Sequence, residues 1–154
     1  MHVRYIVVHH SASTGKTIED IRHTHVEGNG WKAIGYAWVI HEDGSVHKGR
    51  SERVPGAHVA GLNDESIGIC MVGNFNVRGP NVSQMVSLYG LLERKCRQYG
   101  VPAERVLGHR ETGPFVKPPA QPTKKQCPGR RVDMNHIRAH LAKVLARPDN
   151  TPPI

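Results

Sequence analysis

"YIVVHHSAS", residues 5–13, decides how the rest of the chain is read. From Val3 to Val8 β-branched and aromatic residues run almost without a break, which predicts a buried strand over residues 3–9. Side chains alternate across a strand, so Val3, Tyr5, Val7 and His9 share one face and Arg4, Ile6, Val8 and His10 the other. Only one of the two adjacent histidines can therefore point into any one site, and periodicity does not say which.

Outward from this strand, strands and helices are mixed. Thr17 followed by Asp20 is a helix N-cap signal for a short helix with Ile18, Ile21, Arg22 and His25 on one face, stopped by Gly28 and Gly30. "GYAWVIHEDGSVHKG", residues 35–49, reads as a hairpin turning at Asp43-Gly44, with Tyr36, Trp38 and Ile40 to one side and His41 and His47 exposed beside the turn. A second buried strand is expected over 66–73, then a helix capped by Ser83 with Val82, Met85, Tyr89, Leu92 and Cys96 at helical spacing, closed by Gly100. Residues 105–109 form a last short strand ending in His109, and Asp133 caps a final helix with Met134, Ile137, Leu141, Val144 and Leu145 toward the core. The order predicts an α/β domain with a central mixed β-sheet covered by helices. We expect one domain over residues 1–146 and a disordered tail over 147–154.

Composition narrows the partners. The 154 residues suit a single domain, and 16 Gly with 11 Pro imply a loop-rich surface. A net charge of +8 favours a polyanion: nucleic acid, an anionic membrane or bacterial cell wall. Nucleic acid is not expected, because the basic residues are scattered and only 5% of residues are aromatic. No stretch has the length of a transmembrane helix, and the N-terminus lacks a signal peptide's apolar run, so a soluble chain made in the cytoplasm is expected. The three cysteines, Cys70, Cys96 and Cys127, form no disulfide framework.

Several catalytic signatures are missing: there is no G-x-S-x-G elbow, no phosphate-binding G-x-x-x-x-G-K-[ST] loop and no pair of C-x-x-C knuckles. His136 and His140 lie four apart on the last helix but lack a metalloprotease glutamate, and a solvated face accounts for them. What remains is a strand-end histidine, a second strand-end histidine at 109 and the loop cysteine at 127. Three such ligands suit catalytic zinc, which keeps a fourth position for water. On residue type alone these are better read as hydrogen-bonded polar groups.

Five blocks together carry a resemblance: "IVVHHSAS", "GYAWVIHEDGSVHKGR", "GAHVAGLNDESIGICMVGNF", "GHRE" and "KKQCPG". In this order they resemble the zinc-dependent N-acetylmuramoyl-L-alanine amidases of the type-2 family, which includes phage endolysins and animal peptidoglycan recognition proteins. The resemblance covers residues 3 to about 145 and implies a groove that holds one zinc ion bound by His9, His109 and Cys127. It selects His9 over His10. It also implies that Tyr36 and Lys125 are catalytic and that His58, Asn63 and Arg50 line the substrate groove.

The activity so implied is hydrolysis, by zinc-activated water, of the amide bond between N-acetylmuramic acid and the L-alanine of the stem peptide. Lys125 would stabilise the oxyanion, and Tyr36 would orient the water or pass a proton to the leaving amine. The expected partner is bacterial peptidoglycan. We expect a monomer made in a host cytoplasm and acting on the wall after release. The alternative within the same family is a recognition module that binds peptidoglycan without cutting it. The Pro- and Lys-rich stretch between His109 and Cys127 is longer than in the phage relatives. Added length costs little closure entropy, so the two ligands can still meet, but the position of Lys125 depends on the path of this loop.

Overall fold

The computed structural model describes residues 1–119 and 126–149. Lys125 and the last residues of the expected tail, 150–154, lie outside them. Among the described residues five strands form one mixed sheet: β1 (Tyr5–His10), β2 (Trp38–Ile40), β3 (Val46–Lys48), β4 (Ser66–Met71) and β5 (Val106–Gly108), in the order β3-β2-β4-β1-β5. Strands β2, β4, β1 and β5 run parallel, and only the hairpin partner β3 is antiparallel.

Parallel strands need crossovers, and here two run in opposite senses along the sheet. From β1 the chain passes through α1 (Ile18–Arg22) and a π-helical turn (His23–Gly28) to β2 on one side. From β4 it passes through α2 (Val82–Tyr99) and back over β1 to β5 on the other side. Right-handed crossovers in opposite senses place their helices on opposite faces. The core divides accordingly. Ile6, Val8, Ile69, Met71 and Val106 pack with Leu88, Leu92, Ile137 and Leu141 of α2 and α3 (Met134–Leu145), while Val39, Cys70 and Val72 pack with Ile18 and Ile21 of α1.

Caps follow the expected chemistry where a polar side chain sits at a helix start. Thr17 and Asp20 form a reciprocal capping box on α1, and Asp133 accepts the His136 N–H at 3.0 Å. In α2 the cap is Asn81, not Ser83. The amide oxygen of Asn81 takes the Gln84 N–H at 2.9 Å and Gln84 returns the bond, so the helix begins earlier and Val82 stands 79% exposed. Gly100 closes α2 in the left-handed region at φ 66°, where a side chain would be strained.

Four further expectations change. The first strand runs over Tyr5–His10, leaving Val3 outside it and in the α2/α3 core. The hairpin ladder begins only at Trp38. Alternation breaks before it, because Ala37 and Trp38 both pack toward the α2/α3 core, and Tyr36 is turned to the α1 face rather than siding with Trp38 and Ile40. His41 and His47 are half-buried and stacked with ring centroids 3.8 Å apart, and His41 Nε2 accepts the Ile18 N–H at 2.9 Å at the start of α1. At the other end of the chain, Arg97 donates to the carbonyls of Val144 and Arg147 and faces Asp149, so residues 147–149 lie against α2.

Candidate metal centre

The site lies where the parallel strands end, on the face of the sheet that carries α1. In the β1/β5 register Val8 is paired with Gly108, so the next residues, His9 and His109, emerge side by side. The C-terminal edge of a parallel sheet, where crossovers depart in opposite senses, is the place such folds leave open for a ligand. Three imidazole or phenol rings surround His9: its centroid is 4.8 Å from that of His109 and 5.0 Å from those of Tyr36 and His58.

Cys127 comes from a loop distant in sequence, and its approach is fixed by the residue after His109. The Arg110 N–H donates to the Cys127 carbonyl at 2.8 Å, while its guanidinium bonds the carbonyls of Gly129 and Val132, both at 2.7 Å. Gly129 allows the turn: its φ is +108°, and a Cβ there would stand 2.6 Å from the Phe75 backbone. Glu111 in turn accepts two bonds from Arg138 on α3 and one from the Gly108 N–H, each 2.8 Å. Burial works to raise the Glu111 pKa, but these bonds hold the carboxyl below its ordinary value. The motif G-H-R-E is thus a candidate ligand flanked by the side chains that pin its loop.

One ligand atom from each of His9, His109 and Cys127 lies within 4.8 Å of the others. Cys127 Sγ is 3.7 Å from His9 Nδ1, and it also accepts the His10 N–H at 3.4 Å. Zinc held by tetrahedral N and S donors separates them by roughly 3.5 Å, so this pair already stands at nearly the spacing a shared ion requires. Two imidazoles and a thiol are also the donor chemistry zinc takes, and the residues fit the metal.

His10 belongs to the opposite face. Its Nδ1 accepts the Phe75 N–H at 3.2 Å, and burial, then the nearby Arg110, lowers its pKa. The structure thereby separates two histidines that the sequence alone left equivalent. Tyr36 is largely buried beside Cys70. Burial, followed by the two cysteines Cys70 and Cys127, pushes its phenol above the ordinary value, so it is a neutral hydrogen-bonding group. Burial likewise raises the Cys70 thiol.

The residues expected to line a groove take specific places. Arg50 spends its guanidinium on three backbone carbonyls, those of Ile34, Ala33 and Pro55, at 2.9 to 3.0 Å. Asn63 Oδ1 accepts the N–H groups of His58 and Val59, each at 2.9 Å. His58 Nδ1 faces His9 Nε2 at 2.8 Å, and burial is the main cause of its pKa falling to about 4. Open space beside Tyr36 forms a cavity of about 190 Å³ lined by Ser11, Lys16, Asp20, Thr24 and His25.

Sequence reasoning missed His25. Its Nδ1 accepts the Gly35 N–H at 2.9 Å and its ring lies 5.5 Å from Tyr36, so it fixes the turn that presents the phenol. No local pattern announces such a contact between a helix and a turn. Lys117, the described lysine of the long loop, pairs with Glu65 at 3.1 Å.

Fold and site define an α/β protein with a His-His-Cys cluster, of a geometry that could hold a metal ion, at the end of a parallel sheet. The family model described as N-acetylmuramoyl-L-alanine amidase matches residues 1–130, and the chain belongs to that family. It is similar to peptidoglycan-recognition protein SC2 of Drosophila melanogaster, with 32% identity over 146 residues, 89% of this chain and 73% of that protein. It is 36% identical over 121 residues to the endolysin of Escherichia phage T7, covering 73% of this chain and 78% of the endolysin. Among solved structures, N-acetylmuramoyl-L-alanine amidase LysC from Clostridium intestinale superposes with a TM-score of 0.80 at 29% identity, over 92% of this chain and 86% of LysC. The mixed sheet with flanking helices expected from the sequence is the fold of these amidases and recognition proteins.

Proposed function

We propose that this chain is a zinc-dependent amidase of the endolysin kind, cleaving the bond between N-acetylmuramic acid and the L-alanine of the stem peptide. The observation that carries the reading is the convergence of His9, His109 and Cys127 from β1, the end of β5 and a distant loop, with ligand atoms within 4.8 Å of one another. Zinc, when bound, supplies a Lewis acid that makes water nucleophilic near neutral pH.

The chain's own groups supply the rest. His9 and His109 present imidazole nitrogens and Cys127 a sulfur steadied by the His10 N–H. Tyr36 keeps its proton and serves as donor to the scissile carbonyl or as a relay toward the departing amine. Lys125, two residues before Cys127 in sequence, is the candidate cation for the developing oxyanion. Water adds across the amide, leaving a carboxylate on the lactyl group and an amine on L-alanine.

Some relatives are named for recognition, and a binder is the competing reading. A module that only binds peptidoglycan has no use for a soft-donor triad, so the presence of Cys127 beside both histidines favours hydrolysis. No helix among the described residues is long and apolar enough to cross a membrane. The +8 charge suits attraction to the anionic envelope of a cell from whose cytoplasm the protein is released.

Zinc content and chelation test the reading. Purified protein is expected to carry one zinc ion and to solubilise peptidoglycan. Activity should disappear with chelator and return with added zinc. Undiminished hydrolysis by metal-free protein rules out the metalloenzyme, and tight binding of the wall without hydrolysis by zinc-loaded protein makes it a recognition module.

A further inference from the structure

Behind the metal-facing side of His9 runs a chain of side-chain hydrogen bonds whose direction can be worked out from its far end. Ser66 Oγ lies 2.8 Å from the Leu62 carbonyl, which can only accept, so the single hydroxyl proton is committed there. Ser66 Oγ must then accept in its contact with His58 Nε2 at 3.2 Å, and His58 carries a proton on Nε2. No carboxylate among the described residues pairs with His58, and a second proton would leave an uncompensated buried cation. The remaining nitrogen, Nδ1, is therefore an acceptor, and at 2.8 Å it takes the proton on His9 Nε2. His9 Nδ1, the atom 3.7 Å from Cys127 Sγ, then carries no proton.

We propose that His58 is a positioning residue that holds His9 in the one tautomer and rotamer able to bind the metal, with Ser66 and the Leu62 carbonyl fixing His58 in turn. This rests on the zinc-amidase reading only in taking His9, His109 and Cys127 as a metal centre. A ligating histidine is commonly oriented through its second ring nitrogen, and such outer partners are worth about 10- to 100-fold in metal affinity.

The surroundings of His58 are shaped for this task. A Cβ on Gly68 of β4 would come within 2.8 Å of His58 Cγ and Nδ1, and one on Gly56 within 3.0 Å of Cδ2, so two glycines make the slot in which the ring lies. The Asn63 side chain fixes the backbone at His58 and Val59 from the third side. The ring is thus set by a strand, a turn and a loop cap. A role as substrate contact alone would not account for both nitrogens being engaged by protein groups.

The tautomer can be observed directly in metal-free protein by 15N NMR of the imidazole nitrogens, with metal affinity measured by zinc competition against a chelator. Wild type is expected to show His9 protonated on Nε2 and His58 protonated on Nε2. His58→Phe keeps the ring's bulk but removes the acceptor, and zinc affinity should fall about 10- to 100-fold with mixed His9 tautomers. His58→Asn places an amide oxygen near the lost Nδ1 and should restore most of the affinity. Ser66→Ala, which removes the hydroxyl facing Nε2 but leaves the Ser66 backbone in place, should lie between.

A wild-type His9 protonated on Nδ1 overturns the proposal. So does a His58→Phe protein with unchanged tautomer and zinc affinity that has lost only muropeptide binding, which would make His58 a substrate contact. Should His58→Phe fail to fold, the wild-type spectrum and the Asn and Ser66→Ala variants still decide. If the tautomers and affinities follow expectation but zinc-loaded wild type cuts no peptidoglycan, the amidase reading fails and the positioning role stands.

Discussion

The two faces of β1 carry the same residue side by side and use it in opposite ways. His10 faces α2 and α3, where a continuous apolar cluster closes the sheet, and its ring nitrogen is consumed by the Phe75 N–H. His9 faces α1, where the apolar packing is split into smaller clusters and a polar strip of Tyr36, His58, His109 and Cys127 runs between them. A closed face gives a histidine a structural hydrogen bond, while an interrupted one gives it neighbours with the donor atoms a metal takes. The difference comes from strand alternation and from where the crossovers lay their helices, not from the residue.

Substitution on the two faces should separate stability from chemistry. His9→Ala and Cys127→Ser are each expected to lose most bound zinc and all measurable hydrolysis while keeping the fold, since a serine hydroxyl is a far poorer zinc ligand than a thiolate. His10→Ala keeps the ligand set but strands a buried N–H, and should cost roughly 1–3 kcal/mol in unfolding free energy with zinc retained. Zinc analysis and denaturant melts on the three proteins check this. Loss of zinc from His10→Ala with a normal melt would break the assignment of faces.

Much of this contrast is legible in the sequence. The unbroken run of Ile6, Val7 and Val8 marks an interior strand, and Thr17, Asp133 and Gly100 mark helix ends, because each depends on neighbours within a few residues. The choice between His9 and His10 is not legible from periodicity, which gives two faces without saying which one α1 leaves open. Tyr36 escapes its expected side because alternation fails just before the ladder begins at Trp38. The links from Arg110 to the Cys127 loop and from His25 to Gly35 join elements that only the folded chain brings together.

On the open face, Tyr36→Phe removes the hydroxyl proposed to act on the transition state and leaves the proposed ligand set intact. The rate should fall about 10²- to 10³-fold with zinc content unchanged. A Tyr36→Phe protein of normal activity would show that the phenol only packs against His9.

Acid should weaken the fold from the open face. His25 and His41 each accept a backbone N–H through a bare ring nitrogen, and burial is the first cause of their pKa values lying below 6.5. The unfolded chain takes up these protons first as pH falls, so the stability they contribute is complete above about pH 6.5 and is lost on acidification below it. Thermal midpoints should be level between pH 7 and 8 and decline toward pH 5, with the decline shallower in His25→Asn and His41→Asn. A midpoint that rises on acidification would contradict the assignment.

The smallest effect concerns charge. Attraction of the +8 chain to whole cell walls is screened over about 10 Å at 0.1 M salt, whereas cleavage of a soluble muropeptide depends on local groups. Wall lysis should therefore fall more steeply with salt than muropeptide cleavage, and Arg131→Gln with Lys143→Gln should flatten the difference. Arg138 is unsuitable for such a test because it holds Glu111 beside His109.

The most direct measurement of the central claim is mass spectrometry of purified peptidoglycan digested in 18O-labelled water, with and without chelator. The account predicts stem peptides bearing a free L-alanine amine and glycan whose lactyl carboxylate carries one 18O, both absent when zinc is removed. Label at a glycosidic bond or within the stem peptide, or intact peptidoglycan held by zinc-loaded protein, would contradict it.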